Sequence, residues 1–166
     1  WLQRMLAVAD AVACISSATR DELRDQCRSA GWRLPPSVHF RLGCDPFAPA
    51  VAVATRPALD RFLSQQAPCF AAIGSFEPRK NYGFLLDAFE ELWAEGRDLL
   101  LVVAGRPNEE SREVIDRFRG HAQGGKRLLC LFDAADSEIE DIYRRCRALV
   151  FPTLAEGFGL PLVEAR

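Results

Sequence analysis

The sequence predicts an α/β protein whose main domain is a doubly wound parallel sheet. Three observations predict it. From residue 69 onward, short apolar runs alternate with helical patterns four times. The runs themselves, Cys69–Ile73, Leu99–Ala104, Arg127–Phe132 and Ala148–Phe151, are largely apolar with little alternation, which marks strands covered on both faces and therefore a parallel sheet between helices. The segments between them repeat apolar residues at helical spacing. Parallel neighbours need right-handed crossovers, so the hand of the winding follows.

Each element has its own signal. Trp1 to Ala9 reads as the end of a helix, and Ala11–Ile15 as a short buried strand. Ser16, Ser17 and Thr19 offer caps for a helix that Gly31 ends. Pro35-Pro36 stops anything helical, and Val38–Leu42 alternates as a strand. Residues 45–67 are rich in Pro and Ala without a lasting period, which predicts a linker. After the strand Cys69–Ile73, a loop carries Pro78-Arg79-Lys80. Leu85, Leu86, Phe89, Leu92 and Trp93 then recur at helical spacing up to Gly96. Glu109–Arg119 is amphipathic, with Val114, Ile115 and Phe118 on one face. Ser137–Arg147 turns Ile139, Ile142, Tyr143 and Cys146 inward. The predicted organisation is a first domain ending at residue 44, a linker over 45–67 and a second domain over 68–166. The opening at Trp1 and the stop at Arg166, where a helix has just begun, predict a segment of a longer protein.

Composition narrows the function. Charged residues are 27% of the 166 and the net charge is -2, so no electrostatic case exists for nucleic acid as a partner. The six cysteines are irregularly spaced without a C-x-x-C. That predicts reduced thiols and a cytoplasmic, reducing setting over a zinc or disulfide framework. No apolar run is long enough to cross a bilayer. Neither His39 nor His121 has a metal or triad partner at a suitable spacing, Gly124-Gly125-Lys126 precedes a strand instead of following one, and no G-x-G-x-x-G follows any strand.

Ligands of such a sheet gather at the carboxyl ends of its strands, in the loops after Ile73, Ala104, Phe132 and Phe151. Two of those loops hold candidate chemistry. After Ile73 come Gly74, Arg79 and Lys80, two cations suited to phosphate. After Phe151 come Glu156, Gly157, Phe158, Gly159, Leu160 and Glu164. Gly157 and Gly159 allow close backbone approach, and Pro161 suits the first turn of a helix whose amide N–H groups, around Gly157 to Leu160, can hold a pyrophosphate. Glu164 is expected in that first turn, where it can accept hydrogen bonds from the vicinal diol of a ribose, and Glu156 can accept from the hydroxyls of a second sugar. Simpler roles exist for each: a Glu can merely complement the helix dipole, Gly-Phe-Gly is a common turn, and Arg79-Lys80 suits a solvated loop. Their meeting on the strand-end loops of one sheet favours the ligand. No Asp-x-Asp occurs, so no metal or other cofactor is expected against the pyrophosphate.

These residues resemble the glycosyl transferase group 1 family, retaining enzymes of the two-domain, Rossmann-like GT-B fold. Ile73–Asn81 is similar to its "VGTLEPRKN" element. Asp136–Tyr143 followed by Ala148–Thr153 is similar to its "D-E-E-L-x-x-L-Y … A-L-V-F-P-S" element. Glu156–Ala165 is similar to its E-x7-E motif almost letter for letter. Ile15–Thr19 and Val38–Asp45 resemble the end of the N-terminal, acceptor-binding domain and the crossing segment. The resemblance implies that Arg79 and Lys80, with Gly74, bind the donor diphosphate. It also implies that Glu156 contacts the donor sugar as the catalytic-site carboxylate, that the amides of Gly157, Phe158, Gly159 and Leu160 hold sugar and phosphate, and that Glu164 binds the ribose. It implies retention of anomeric configuration by same-face attack, without a metal. The expected substrates are a GDP- or UDP-linked hexose, mannose being favoured, and a glycan or lipid-linked acceptor of surface polysaccharide assembly. Peripheral membrane association would belong to the N-terminal domain. Two departures matter. Ser75 stands where some members carry Arg, so phosphate contact rests on Arg79 and Lys80. Phe132-Asp133-Ala134 replaces the Gly-x-Val that often frames the base, so Asp133 and Ala134 are the base candidates and the base stays open. The alternatives are a non-catalytic nucleotide- or glycan-binding relative, or another GT-B enzyme such as a sugar-nucleotide epimerase or a phosphorylase.

Overall fold

The computed structural model describes residues 1–43 and 55–165. The chain divides into two compact units, Trp1–Cys44 with Glu156–Gly159, and Asp45–Ala155 with Leu160–Arg166.

In the first unit, helix α1 (Leu2–Val8) leads into strand β1 (Val12–Cys14), helix α2 (Ser17–Ala30) and strand β2 (Ser37–His39). β1 and β2 pair in parallel, Val12 opposite Ser37. The signals read from the sequence operate here. The Ser16 hydroxyl accepts from the Thr19 amide at 3.0 Å to open α2, and Gly31, at φ +67°, closes it. Arg33 donates to the carbonyls of Leu6 and Ala9 at 2.8 and 3.1 Å, satisfying the open end of α1. β2 stops at His39, short of the predicted Leu42.

The second unit holds a four-stranded parallel sheet in the order β5-β4-β3-β6. Its strands are β3 (Cys69–Ile73), β4 (Leu100–Ala104), β5 (Leu128–Leu131) and β6 (Ala148–Leu149). Both faces are covered. Ala72, Leu101 and Val103 meet Leu85, Leu86, Phe89, Ile115 and Phe118 from α4 (Tyr82–Ala94) and α5 (Arg112–Arg119). Cys69, Ala71, Leu100, Val102 and Ala104 meet Leu59, Phe62 and Ile142 from α3 (Pro57–Leu63) and α6 (Asp136–Arg145). Alternate residues of β4 thus enter opposite layers, and all five are buried. This is the physical meaning of the continuous apolar run.

Three expectations need correction. Residues 57–63, expected within a linker, form α3. Pro57 starts this helix instead of breaking it, and Leu59, Phe62 and Leu63 fall on one buried face. Seven residues are too few to show a lasting period. Residues 45–54 of the expected linker lie outside the described residues. Glu109–Arg119 is a 3-10 turn, Glu109–Ser111, followed by α5. The Asn108 side chain accepts from the Glu110 amide at 2.9 Å, tightening that first turn. Glu164 is the last residue of α7 (Leu160–Glu164), not part of its first turn, because the helix begins at Leu160 immediately after Gly159 in a left-handed conformation, φ +82°.

Candidate functional site

The carboxyl edge of the parallel sheet is shaped by glycines. β3 is followed by Gly74, whose amide donates to the Ala104 carbonyl at 3.0 Å and whose φ of +142° disfavours other residues. β4 is followed by Gly105, where a Cβ would fall 1.7 Å from the Gly74 carbonyl oxygen. The two loops therefore run in backbone contact. Phe76 locks the first of them, 1% exposed and packed on Tyr82, Phe118 and Phe132 at centroid distances of 4.7, 5.5 and 5.3 Å. Its amide donates to the Arg106 carbonyl at 2.8 Å. Beside these loops lies a cavity of about 400 Å³. Ile73, Ala104, Phe132, Ala134 and Ile139 give it apolar walls, and Gly74, Ser75, Arg106 and Asp133 give it polar ones.

Lys80 is buried, 8% exposed. A Cβ on Gly74 would touch its Cε at 3.4 Å, so its stem lies along that glycine, and its Nζ stands 5.4 Å from the centre of the Phe151 ring. The Tyr82 hydroxyl donates to the Gly74 carbonyl at 3.0 Å, fixing the same turn. Arg79 is engaged differently. Its Nε donates to Glu77 at 2.7 Å and its other arm to the Ala155 carbonyl at 3.1 Å. Its own carbonyl accepts from the Leu154 amide at 2.8 Å and the Thr153 hydroxyl at 3.1 Å. Arg79 thereby joins the loop after β3 to the loop after β6. The Ser75 hydroxyl, with Arg79 adding to it, holds the Glu77 carboxyl below the usual carboxylate range. Ser75, a departure from the family pattern, thus serves this carboxylate.

The carboxylates divide between the units. Glu164, in the second, accepts from the Tyr143 hydroxyl at 2.8 Å. Glu156 to Gly159 belong to the first. There the Gly157 carbonyl accepts from the Thr19 hydroxyl at 3.2 Å, and a Cβ on Gly157 would come within 2.8 Å of Ile15 Cδ1. Asp133 and Ala134 line the cavity. Asp133 is bound by Arg56, which reaches its carboxylate at 2.9 Å and its carbonyl at 3.2 Å. The same guanidinium meets the buried Glu138 carboxylate at 2.6 and 2.8 Å, and holds it down to about 2.

Sequence reasoning missed Arg56, Tyr143 and Tyr82 as site residues. Arg56 stood in an expected linker, and Tyr143 reads as a core residue of α6. Tyr82 follows the matched loop directly, which was its one signal. Cys14, Cys27, Cys69, Cys130 and Cys146 are free thiols. Burial pushes the Cys130 thiol up to about 12, so it stays protonated at neutral pH. Cys44 lies outside the described residues. Among those residues, no helix is long and apolar enough to cross a membrane, and no group of three or more His, Cys, Asp or Glu gathers in a way that could hold a metal.

The sequence profile of the glycosyl transferases group 1 matches residues 60–166. The chain belongs to that family. Over 172 residues it is 33% identical to the serotype-specific mannosyltransferase WbdA of Escherichia coli, an alignment spanning 99% of this chain and 21% of the relative. It is 29% identical over 168 residues to the O-antigen chain mannosyltransferase B of Escherichia coli, covering 99% of this chain and 42% of that protein. The chain therefore spans about a fifth to two fifths of these relatives. Among solved structures it is similar to a UDP-forming α,α-trehalose-phosphate synthase from Burkholderia xenovorans in complex with glucose-6-phosphate. That match has a TM-score of 0.75 and 13% identity, and covers 99% of this chain and 45% of the other. It is also similar to HepE of Anabaena in complex with UDP and glucose, with a TM-score of 0.69 and 17% identity, covering 97% and 43%. These likenesses show the GT-B fold for the part that this chain spans.

Proposed function

We propose that this chain is the donor-binding part of a retaining hexosyltransferase that moves mannose from GDP-mannose to a glycan or lipid-linked acceptor in surface polysaccharide assembly. Residues 1–44 are then the end of the acceptor domain and its crossing strand. The observation that carries the reading is the buried Lys80, held along Gly74 at the carboxyl edge of a parallel sheet, beside a cavity with apolar walls. An ammonium at the strand-end edge of a parallel sheet, where the ligands of such sheets gather, suits a ligand that carries phosphate.

In the proposed step the acceptor hydroxyl attacks the anomeric carbon on the face that the diphosphate leaves. The bond from that carbon to the β-phosphate oxygen breaks, and the acceptor's proton passes to the departing phosphate. Lys80 and the loop amides stabilise the charge that grows there. Arg79 helps mainly by fixing the loops, since its own charge already meets Glu77. Glu156 orients the transferred sugar, and no metal takes part. Mannose is favoured because both curated relatives named above are mannosyltransferases. Guanine is favoured by Asp133 on the cavity wall. A carboxylate accepts two parallel hydrogen bonds from N1–H and the 2-amino group of guanine, whereas uracil sets its one N–H between two carbonyls.

Calorimetric titration of the full-length protein with GDP-mannose, UDP-glucose and ADP-glucose tests the reading. GDP-mannose should bind best, and Asp133→Asn should narrow the difference. Glu156→Ala should lower kcat/KM by about a hundredfold. Binding of none of the three donors overturns the donor-site reading, and wild-type kcat/KM in Glu156→Ala overturns the role of that carboxylate.

A further inference from the structure

Tyr143 sits on α6, a helix packed on one face of the sheet through Ile142. Its neighbour Ile142 is 0% exposed, and Glu138 one turn earlier is fixed by Arg56. Glu164 sits on α7, a five-residue helix with no buried residue of its own. The Tyr143 hydroxyl donates to Glu164 Oε2 at 2.8 Å across 21 residues of sequence. A side chain on a rigid helix thus holds a carboxylate on a weakly anchored one.

We propose that Tyr143 is a positioning residue for nucleotide binding: its hydroxyl sets the rotamer of Glu164 so that the carboxylate meets both hydroxyls of the ribose at once. This rests on the reading of Glu164 as the ribose ligand. An ionised carboxylate offers about four acceptor positions. The phenol fills one of them on Oε2, which leaves Oε1 and the second lone pair of Oε2 for the two donors of a vicinal diol. The diol presents its O–H groups at a fixed separation, so it rewards a carboxylate already oriented. An untethered Glu, with three rotatable side-chain bonds, has to be ordered by each binding event. Because the bond ends on a charged acceptor, its loss is large among hydrogen bonds. Replacing Tyr by Phe keeps the ring and its packing and removes only the donor.

The experiment uses the full-length protein as wild type, Tyr143→Phe and Glu164→Ala, titrated with GDP and 2′-deoxy-GDP, and with UDP and 2′-deoxy-UDP. Wild type should prefer the ribonucleotide. Glu164→Ala should bind ribo- and deoxyribonucleotide alike. Tyr143→Phe should bind the ribonucleotide about tenfold more weakly and lose most of the ribose preference, while kcat at saturating donor stays within about threefold of wild type. A merely structural tyrosine would weaken both nucleotides equally and keep the ratio, and that result overturns the proposal. So does an unchanged affinity in Tyr143→Phe. If Glu164→Ala keeps the wild-type preference, or no nucleotide binds, the ribose reading itself falls and takes the proposal with it. If Glu164→Ala loses the preference while Tyr143→Phe keeps it, the ribose reading stands and the tyrosine's role alone is wrong.

Discussion

Replacing Arg56 by Met removes one guanidinium and keeps much of its apolar stem. In the native protein that guanidinium grips both oxygens of Glu138, at 2.6 and 2.8 Å. Glu138 is 5% exposed, so its charge has little water to fall back on. Its carboxyl titrates at about 2 instead of 4.5, with the Arg56 side chain as the largest cause. That difference corresponds to about 3 kcal/mol of folding stability at neutral pH. The Ala135 and Arg56 amides also donate to Glu138, at 3.0 and 3.2 Å, and they survive the substitution. The Arg56 side chain is itself about one third exposed, which lowers the value of the pair further. The expected cost is therefore about 2 kcal/mol at pH 7. The sign of the pH dependence follows from a depressed carboxylate: its contribution is complete above about pH 4.5 and disappears as pH falls toward about 2. Scanning calorimetry of the full-length protein between pH 7 and pH 2.5 should show the variant's deficit in the transition of this domain, shrinking steadily below pH 4.5. Amide exchange in α3 and α6 should rise in parallel. A deficit below about 0.5 kcal/mol at pH 7, or one that persists undiminished at pH 2.5, would refute the assignment of that energy to the ion pair.

Other expectations are as direct. Gly105→Ala forces a methyl into the Gly74 carbonyl, 1.7 Å away, so the backbone has to part there. We expect a loss of about 2–4 kcal/mol in thermal stability, together with weakened nucleotide binding, and a neutral result would contradict the close approach. Lys80→Met keeps the buried stem and removes the ammonium. It should lower kcat/KM by about a hundredfold, whereas a value within threefold of wild type would take Lys80 out of phosphate binding.

Much of the architecture was legible because it rests on local rules. β3 begins and ends at the predicted residues, and β4 differs by one at its start. Burial on both faces leaves no polar position in a strand, so the pattern appears in the letters themselves. Caps such as Ser16 and Gly31 act within one helical turn and are equally visible. α3 was not legible, since a seven-residue helix offers too few turns for its buried face to stand out from a Pro- and Ala-rich run. β6 shortened to Ala148–Leu149 because its register on β3 covers only Phe70 and Ala71, a limit set by the neighbour.

The site divides along the same line. The sequence by itself determined the α/β class, the loops at the strand ends and the residue types there: Gly74, Arg79 and Lys80 after one strand, Glu156 to Glu164 after another. Those follow from periodicity and from chemistry written within a few residues. Only the tertiary structure decided what each group does with its charge. It turned Arg79 onto Glu77, buried Lys80 along Gly74, set Tyr143 against Glu164 and tied Asp133 to Arg56. Hydrogen bonds and ion pairs depend on distances of about 3 Å between groups that, for the last two pairs, lie 21 and 77 residues apart. No local pattern encodes such distances, because they arise only when the sheet brings its helices and loops together.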